Sequence, residues 1–434
     1  MKICASLDSA DELERCNTGM VEIRLDLLGD VPDTGDRTPL VTYRGPVDLS
    51  ILPSGYSGMI DVGQEPRPDT GLEVVSSVHD YEGTPNAKEI VRMLGSMDGD
   101  ISKGAFKVRS FKDLADILEA SAEVKRRHVL LGMGPMGTLT RVRSDILGNE
   151  FTFGYVGKPT APGQLDVKTM ERLADGCMVT GIVGGSLSKS SSPRMHMAAF
   201  EASGIPGIYL PFETDDLDCI EEVVRGYDIR GLNITLPHKQ AIMDHLDRID
   251  ADASEIGAVN TVVNDGGILT GSNTDIVGIG AALEKAGFDV DGRRALVMGS
   301  GGAARACVYY LTKNGCDVTV TGRNETTGTV LASEFGASFR RPDSVPVMMH
   351  DLIVNCTPIG MYSDDPYPVS ISSIRSGQAV FDMVYGRDTP LMRYATETGC
   401  VMIRGEDMLA GQGAASFEAW TGKRNVFDTM RDAI

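Results

Sequence analysis

Leu296-Val297-Met298-Gly299-Ser300-Gly301-Gly302-Ala303-Ala304 carries an apolar, β-like run directly into a Gly-x-Gly-x-x-Ala turn, and Ala303–Leu311 continues in a helical pattern. Missing side chains at such a turn let the backbone approach a pyrophosphate at a helix N-terminus, where free N–H groups and the helix dipole favour an anion. Glycine turns without a ligand are common, so the surroundings must carry the case. The following strand, Asp317–Thr321, ends at Gly322-Arg323-Asn324. A carboxylate there would accept the ribose hydroxyl of NAD, whereas an arginine suits the 2′-phosphate of NADP. This part of the chain reads as a Rossmann nucleotide-binding domain.

Upstream lie small polar clusters: Ser190-Ser191-Ser192-Pro193, Asn233-Ile234-Thr235-Leu236-Pro237-His238-Lys239, Gly257-Ala258-Val259-Asn260-Thr261 and Asn273-Thr274-Asp275. Serine-rich turns are usually only turns. Here they accompany amides, a lysine and an aspartate, the inventory needed to bind a polyhydroxylated acid.

Further upstream the pattern changes. Residues 2–7, 20–26, 39–43, 58–62, 74–79, 101–108, 127–132 and 151–156 read as strands, separated by amphipathic stretches such as Asn86–Met97, Phe111–Ala122 and Met136–Leu147. A last helical stretch, Val167–Ala174, should close this region. The alternation predicts a compact (β/α)8 barrel, short of the about 250 residues usual for that fold. The proline-bearing stretch Gly45–Tyr56 lacks a helical period, so one outer helix should be lost. In Glu22-Ile23-Arg24-Leu25-Asp26 three charged residues alternate onto one strand face. Arg44 ends the third strand, His79 the fifth, Lys103 belongs to the sixth, and Arg141 and Gln164 follow the seventh and eighth. Barrel active sites gather at the C-terminal ends of strands, where all of these converge.

Composition bounds the rest. At 434 residues the chain should hold two or three domains. A net charge of −20 with no basic stretch argues against nucleic acid; solubility is its plain explanation and halotolerance the alternative. Eight scattered cysteines without CxxC pairs speak against a zinc site or a disulfide scaffold, so no metal is expected and a reducing cytoplasm fits. There is no leader-like opening and no 18-residue apolar stretch, so no membrane partner is expected.

Two family resemblances rest on these residues. Glu22-Ile23-Arg24, Ser77-Val78-His79-Asp80-Tyr81 with Thr84-Pro85, Asp100-Ile101-Ser102-Lys103, Met136-Gly137 with Thr140-Arg141, and Ala161-Pro162-Gly163-Gln164 together resemble type I 3-dehydroquinate dehydratase. The resemblance implies that Lys103 forms a Schiff base with the substrate ketone while His79 removes and later delivers the proton. It also implies that Arg141 binds the substrate carboxylate, aided by Gln164 and Thr160, and that Glu22, Arg24 and Arg44 hold the ring hydroxyls. Thr160 stands where the family commonly has serine. Asp48 occupies the place of a carboxylate that orients the histidine, and Lys107, on the same strand face as Lys103, is the alternative nucleophile.

From Gly181 to about Gly422 the chain resembles shikimate dehydrogenase. The polar clusters, the glycine turn, Asn355-Cys356-Thr357-Pro358-Ile359-Gly360-Met361, Asp382-Met383-Val384-Tyr385 and Gly405 with Met408-Leu409 and Gln412-Gly413 carry the match. It implies Lys239 and Asp275 as the catalytic pair, with Ser190 and Ser192 on the substrate carboxylate. Asn233, Thr235, Asn260, Tyr385 and Gln412 would contact hydroxyls or frame the site. Gly299, Ser300, Gly301, Gly302, Ala303, Arg323, Asn324 and Thr357 would contact NADP. Where the family often reads Asn-Arg-Thr or Asn-Arg-Ser, this chain has Gly322-Arg323-Asn324.

The expected organisation is a barrel over 1–176 and a dehydrogenase-like unit over 177–434. Within the latter, 177–280 and helices from about 405–434 form a substrate domain, and 281–404 the NADP-binding domain. The expected activity is consecutive: dehydration of 3-dehydroquinate to 3-dehydroshikimate, then NADPH-dependent reduction to shikimate in aromatic amino-acid biosynthesis. Two alternatives compete, a catabolic quinate/shikimate dehydrogenase and a non-catalytic metabolite sensor. The sensor could tolerate loss of His79, Lys103, Lys239 or Asp275, and all four are present. A homo-oligomer is compatible with either.

Overall fold

The computed structural model describes residues 1–173, 176–360 and 366–434. Ala174 and Asp175, at the end of the expected last barrel helix, and Met361 of the Asn355–Met361 motif lie outside the described residues. Contacts divide the chain into two units, Met1–Val183 with Ile205–Arg230, and Gly184–Gly204 with Gly231–Ile434.

The first unit is built on eight strands: β1 (Ile3–Leu7), β2 (Met20–Arg24), β3 (Thr38–Thr42), β4 (Met59–Asp61), β5 (Glu73–Asp80), β6 (Ile101–Lys107), β7 (His128–Met133) and β8 (Thr152–Tyr155). They form one sheet in the order β7-β6-β5-β4-β3-β2-β1-β8, and the ladders are parallel. The seam between β7 and the entry to β8 is joined by Glu150 N donating to His128 O at 3.0 Å. Beside it the Asn149 side chain does the work of a backbone pair, accepting from Leu130 N at 2.7 Å and donating to Leu130 O at 2.9 Å. Cys4, Met20, Leu40, Val75, Val129 and Phe153 fill the interior.

Helices begin where a side chain can cap them. Asn86 accepts from Glu89 N, Asp166 accepts from Thr169 N, and Ser110 and Asp113 form a reciprocal capping box. The barrel is short because several connections are reduced. A 3-10 helix, Ala10–Arg15, follows β1, a four-residue helix, Leu25–Leu28, follows β2, and only a 3-10 turn, Leu49–Ile51, lies in the Gly45–Tyr56 stretch. Two expectations change here. Asp26 is not on the β2 face, because the chain turns helical at Leu25; its carboxylate instead takes the Arg24 guanidinium in two bonds of 2.7 and 2.6 Å. The helix expected over Met136–Leu147 is confined to Thr138–Val142, because Arg143 leaves helical geometry at φ −104° and ψ 37°. The Arg143 guanidinium donates to Asp228 O at 3.0 Å. Residues 205–230 pack against the helix Phe111–Glu123 through the stacked Phe111 and Phe212 rings and the Tyr227 hydroxyl, which donates to Leu114 O at 3.0 Å. This unit also contains most of β9 (Met178–Gly184), β10 (Gly207–Glu213) and the start of β11 (Ile229–Ile234).

In the second unit, β12 (Arg248–Ile249), β13 (Thr261–Asp265) and β14 (Ile268–Ser272) accompany the end of β11. β11 and β14 flank β13 antiparallel. The β13–β14 turn needs positive φ at both central positions, and Gly266 and Gly267 supply +58° and +89°. On β11, a Cβ on Gly231 would collide with the Trp420 indole at 2.0 Å, so glycine makes room for the ring whose N–H donates to Val262 O.

The rest of this unit is a parallel sheet of β15 (Arg294–Met298), β16 (Asp317–Thr321), β17 (Ser338–Phe339), β18 (Leu352–Asn355), β19 (Ala379–Asp382) and β20 (Val401–Arg404), in the order β17-β16-β15-β18-β19-β20. Strand order reverses between β15 and β18, the switch point where such sheets bind ligands. Gly299 follows β15 at that point. Separate cores cover the two faces, one around Val297, Cys307 and Phe381, the other around Met298, Ile353 and Val380.

Candidate active sites

In the first unit, Glu22, Arg24, Arg44, His79, Lys103, Arg141, Thr160 and Gln164 line one cavity together with Tyr81, Ala105, Leu131, Met133, Phe153 and Ala161. The β5–β6 register sets Ser77 opposite Lys103 and His79 opposite Ala105, so His79 stands one inward position nearer the barrel mouth. Lys103 is 3% exposed; its Nζ lies 2.9 Å from Asp61 Oδ2 and 4.4 Å from the centre of the Phe153 ring. Asp61 also accepts from Ser77 Oγ at 2.6 Å and Gly63 N at 3.0 Å. Burial alone would raise the Asp61 carboxyl, but the Lys103 charge and these donors hold it below its ordinary range.

His79 is pushed down to about 3, first by burial and then by the Lys103 and Arg44 charges. It therefore stays neutral at physiological pH, the form in which an imidazole accepts a proton. Arg44 Nη1 lies 3.2 Å from its Nδ1, and the Tyr81 ring stacks beside it at 6.4 Å. Glu22 accepts from Ser6 Oγ at 2.5 Å and Thr42 Oγ1 at 2.9 Å, which fixes its carboxylate in the barrel.

Arg141 projects from the helix Thr138–Val142, where Thr140 Oγ1 accepts from Gly132 N at 2.7 Å and ties that helix to β7. The guanidinium is buried, and its Nε and Nη1 have no hydrogen-bond partner among the described residues. Burial lowers it to about 10, against the opposing pull of Glu22. A buried cation with idle donors in a cavity is chemically suited to a carboxylate. Across the cavity the Gln164 carbonyl oxygen gathers Thr160 N, Thr160 Oγ1 and Ala161 N at 2.7 to 3.0 Å, fixing the 160–164 loop.

Asp48 does not reach His79. Its carboxylate is taken by Ser50 N and Oγ at 2.9 and 2.6 Å, because it caps the Leu49–Ile51 turn. Lys107 is not among the residues lining the cavity. Asp61 was missed by sequence reasoning, although it ends β4 and is the sole charge in Ser57–Val62.

In the second unit, Lys239 Nζ and Asp275 Oδ2 lie 2.5 Å apart. Asp275 opens the helix Asp275–Lys285, and its other oxygen accepts from Asn260 Nδ2 at 2.8 Å. Asn260 Oδ1 accepts from Thr274 N at 2.7 Å, locking the amide orientation. Val259 N donates to Lys239 O at 2.8 Å, so the same segment holds the lysine backbone. Asn233 Nδ2 donates to Ser416 Oγ at 2.9 Å within a buried hydroxyl cluster that joins Thr261 and Thr274, both from the polar stretches, to Ser416, which the sequence did not single out. Gln412, one turn before Ser416, lies against Gly278, where a Cβ would meet Gln412 N at 3.0 Å. Thr235 abuts Gly184 just before the cis Leu236–Pro237 peptide. Ser190 Oγ accepts from Ser192 N at 3.3 Å, and Ser190 also bonds Tyr385, whose phenol is raised by burial.

The glycine turn fits a dinucleotide. Gly299 has φ +117° and a Cβ there would stand 3.1 Å from Thr357 Cγ2; Gly301 faces open space ahead of the helix Gly302–Lys313. A Cβ on Gly302 would stand 3.0 Å from Lys239 Cδ, so the turn reaches the catalytic candidate. Thr357 is steadied by Asn355 Oδ1, which accepts its N–H and hydroxyl. Ser300 bonds Thr327 Oγ1, Asn324 caps the helix Glu325–Glu334, and Arg323 is exposed between them. Among the described residues no helix is long and apolar enough to cross a membrane.

Comparison with known proteins matches this geometry. Residues 60–175 match the family described as type I 3-dehydroquinase, 182–262 the shikimate dehydrogenase substrate binding domain, and 405–434 the shikimate 5′-dehydrogenase C-terminal domain. The chain is similar to shikimate dehydrogenase (NADP(+)) of Methanothermobacter thermautotrophicus, 37% identical over 270 residues, covering 59% of this chain and 95% of the relative. The counterpart from Geobacter sp. is 41% identical over 260 residues, covering 56% and 90%. The crystal structure of shikimate 5-dehydrogenase from Thermus thermophilus with NADP(H) and shikimate superimposes with a TM-score of 0.55 at 35% identity, over 59% of this chain and 98% of that one. The chain belongs to the shikimate dehydrogenase family and joins to it, in the same polypeptide, a type I 3-dehydroquinase domain.

Proposed function

We propose that this chain catalyses two consecutive steps of the shikimate pathway: dehydration of 3-dehydroquinate, then NADPH-dependent reduction of 3-dehydroshikimate to shikimate. The observation that carries the reading is that each of two lysines, Lys103 and Lys239, is paired with its own carboxylate inside its own unit.

For dehydration, Lys103 gives up its extra proton to solvent as substrate binds, and the neutral amine attacks the ketone; water leaves to form an imine, which water hydrolyses again after the elimination, releasing product and the free amine. The imine draws electrons from the adjacent C–H bond, and neutral His79 takes that proton and returns it to the departing hydroxyl. Arg141 supplies its idle donors to the substrate carboxylate, with Gln164 and Thr160 alongside, while Glu22, Arg24 and Arg44 bind hydroxyls. Asp61 orients the Lys103 amine.

For reduction, the turn Gly299–Ala303, with Arg323, Asn324 and Thr357, would hold NADPH, which supplies the hydride. Lys239 sits at the ketone oxygen and stabilises the negative charge that develops there by donating a proton. Asp275, fixed by Asn260, keeps the lysine charged and aimed. Ser190 and Ser192 bind the carboxylate, and Asn233, Thr235, Tyr385 and Gln412 frame the ring hydroxyls. The domains proposed for this work are 1–176 for dehydration, 177–280 with about 405–434 for binding the second substrate, and 281–404 for the cofactor, in a cytoplasmic protein.

The test is turnover by the purified chain. 3-Dehydroquinate with NADPH should give shikimate with one NADPH oxidised per molecule. Absence of either half-reaction from the folded protein would sink the reading.

A further inference from the structure

The helix that starts at the glycine turn, Gly302–Lys313, carries a stripe of side chains that reaches a neighbouring helix. Arg305, Tyr309 and Lys313 recur every four residues and so share one face. All three reach the short helix Ala251–Ile256: Arg305 Nε donates to Ile256 O at 2.5 Å, the Tyr309 hydroxyl to Asp252 Oδ1 at 2.6 Å, and Lys313 pairs with Glu255 at 2.8 Å. Tyr309 is the buried member and Arg305 is half-buried, its side chain 14% exposed; the Arg305 Nη2 also pairs with Glu334 Oε2 at 2.7 Å.

Ile256 O belongs to the last turn of its helix, where unsatisfied carbonyls attract a cation. The next residue, Gly257, has φ +67°, and a Cβ there would stand 2.9 Å from Arg305 Nη2. The backbone therefore favours glycine, and a side chain there would press on the guanidinium tip and displace it. Two residues later Val259 N bonds Lys239 O, and Asn260 then bonds Asp275. A continuous path of short contacts thus runs from the cofactor helix to both members of the Lys239–Asp275 pair.

We infer that Arg305 is a positioning residue for the reduction: it anchors the Gly257–Asn260 segment to the cofactor helix and so sets the Lys239–Asp275 pair against the glycine turn. This rests on the reductase reading above. Arg305 touches neither reacting group, so its loss should misplace the pair without removing a binding contact. A displacement of about 1 Å from a distant change can cost about 100-fold in rate.

The test compares Arg305→Met, Arg305→Gln, Gly257→Ala and Glu334→Gln in the full chain. Arg305→Met and Gly257→Ala should each lower kcat for reduction by at least about tenfold, with KM for 3-dehydroshikimate and for NADPH within about twofold of the unmodified values. Arg305→Gln, which keeps one donor for Ile256 O, should recover part of kcat. Glu334→Gln, which spares that bond, should leave kcat near normal. A second readout needs no turnover: hydrogen exchange at the Val259 amide, without ligands, should accelerate in Arg305→Met and not in Glu334→Gln. Unchanged Val259 exchange in a folded Arg305→Met protein overturns the inference, as does a fall expressed wholly in KM. An unmodified chain that fails to reduce 3-dehydroshikimate overturns the reductase reading instead, while the exchange result still decides whether Arg305 anchors the segment.

Discussion

Asp61 Oδ2 lies 2.9 Å from Lys103 Nζ, with side-chain exposures of 1% and 4%. Two opposite charges so deep in a barrel are tolerable only as a pair with their remaining valences satisfied, and Ser77 Oγ and Gly63 N complete the carboxylate. The pair holds the amine at the cavity wall instead of leaving it to wander on a flexible stem.

Asp61→Asn should accordingly strand the Lys103 charge. Breaking a buried pair on one side costs about 3–5 kcal/mol, read as loss of stability by urea unfolding under circular dichroism at neutral pH. The acid limb should change too. Because the folded carboxyl is held below its ordinary value, its contribution is complete above the unfolded pKa of about 3.9 and is lost as pH falls through the folded value. The Asn variant should lack that part of the acid dependence; an unchanged stability–pH curve would mean that Asp61 is not the counter-charge.

His79 gives a second pH signature. Its pKa falls from the unfolded 6.5 to about 3, so between those values the unfolded chain binds more protons and stability rises with pH. His79→Ala should flatten that window. It should also cut dehydration by about 100- to 10,000-fold, the usual contribution of a positioned base. Borohydride added with substrate should still trap an adduct on the peptide bearing Lys103, since the amine is intact. Loss of the adduct in a folded variant would place His79 in imine formation rather than proton transfer.

The barrel strands and the glycine turn were legible because alternation and strand-end position are local properties of the chain. Convergence of His79, Lys103, Arg141 and Gln164 follows from barrel topology once the strands are placed. What escaped depends on tertiary partners. Asp61 sits on a three-residue strand among apolar neighbours, so nothing local marks it as the counter-charge of a residue on β6. Asp48 resembles an orienting carboxylate until the Ser50 donors claim it. Arg305 carries no local signal in the sequence, because its bond is to Ile256 O, a carbonyl 49 residues upstream. Met136–Leu147 has a helical period, yet the helix stops at Val142, where Arg143 leaves helical geometry and its side chain bonds Asp228 O.

The two activities should separate cleanly. Lys103, Asp61, His79 and Arg141 belong to the first unit, and Lys239, Asp275, Asn260 and the glycine turn to the second. Lys103→Ala should abolish dehydration while leaving reduction of supplied 3-dehydroshikimate within about twofold of normal, and Lys239→Ala should do the reverse, lowering reduction by about 100-fold or more. Loss of both activities from either change, in protein that melts normally, would require a composite site.

Cofactor choice should rest on Arg323. The residue is exposed at the end of β16, next to the turn that would hold the pyrophosphate; Gly322 beside it lies so near Gly299 that a Cβ would stand 3.9 Å from Gly299 Cα. A guanidinium at this place can pair with the 2′-phosphate of NADPH, and a hydrogen bond to a charged group contributes about 1.5–3 kcal/mol. At about 1.4 kcal/mol per factor of ten, that is roughly a 10- to 100-fold preference over NADH. The position holds no carboxylate to reward the free ribose hydroxyl, so NADH gains nothing in exchange. Asn324 spends its side-chain oxygen capping the helix Glu325–Glu334, through Thr327 N at 3.1 Å, which leaves the charge of Arg323 as the main discriminator. Arg323→Ala should therefore raise KM for NADPH by about 10- to 100-fold and change that for NADH by less than about twofold, because only one of the two cofactors carries the partner. Equal kcat/KM for both cofactors in the unmodified enzyme would mean that the guanidinium points away from the phosphate.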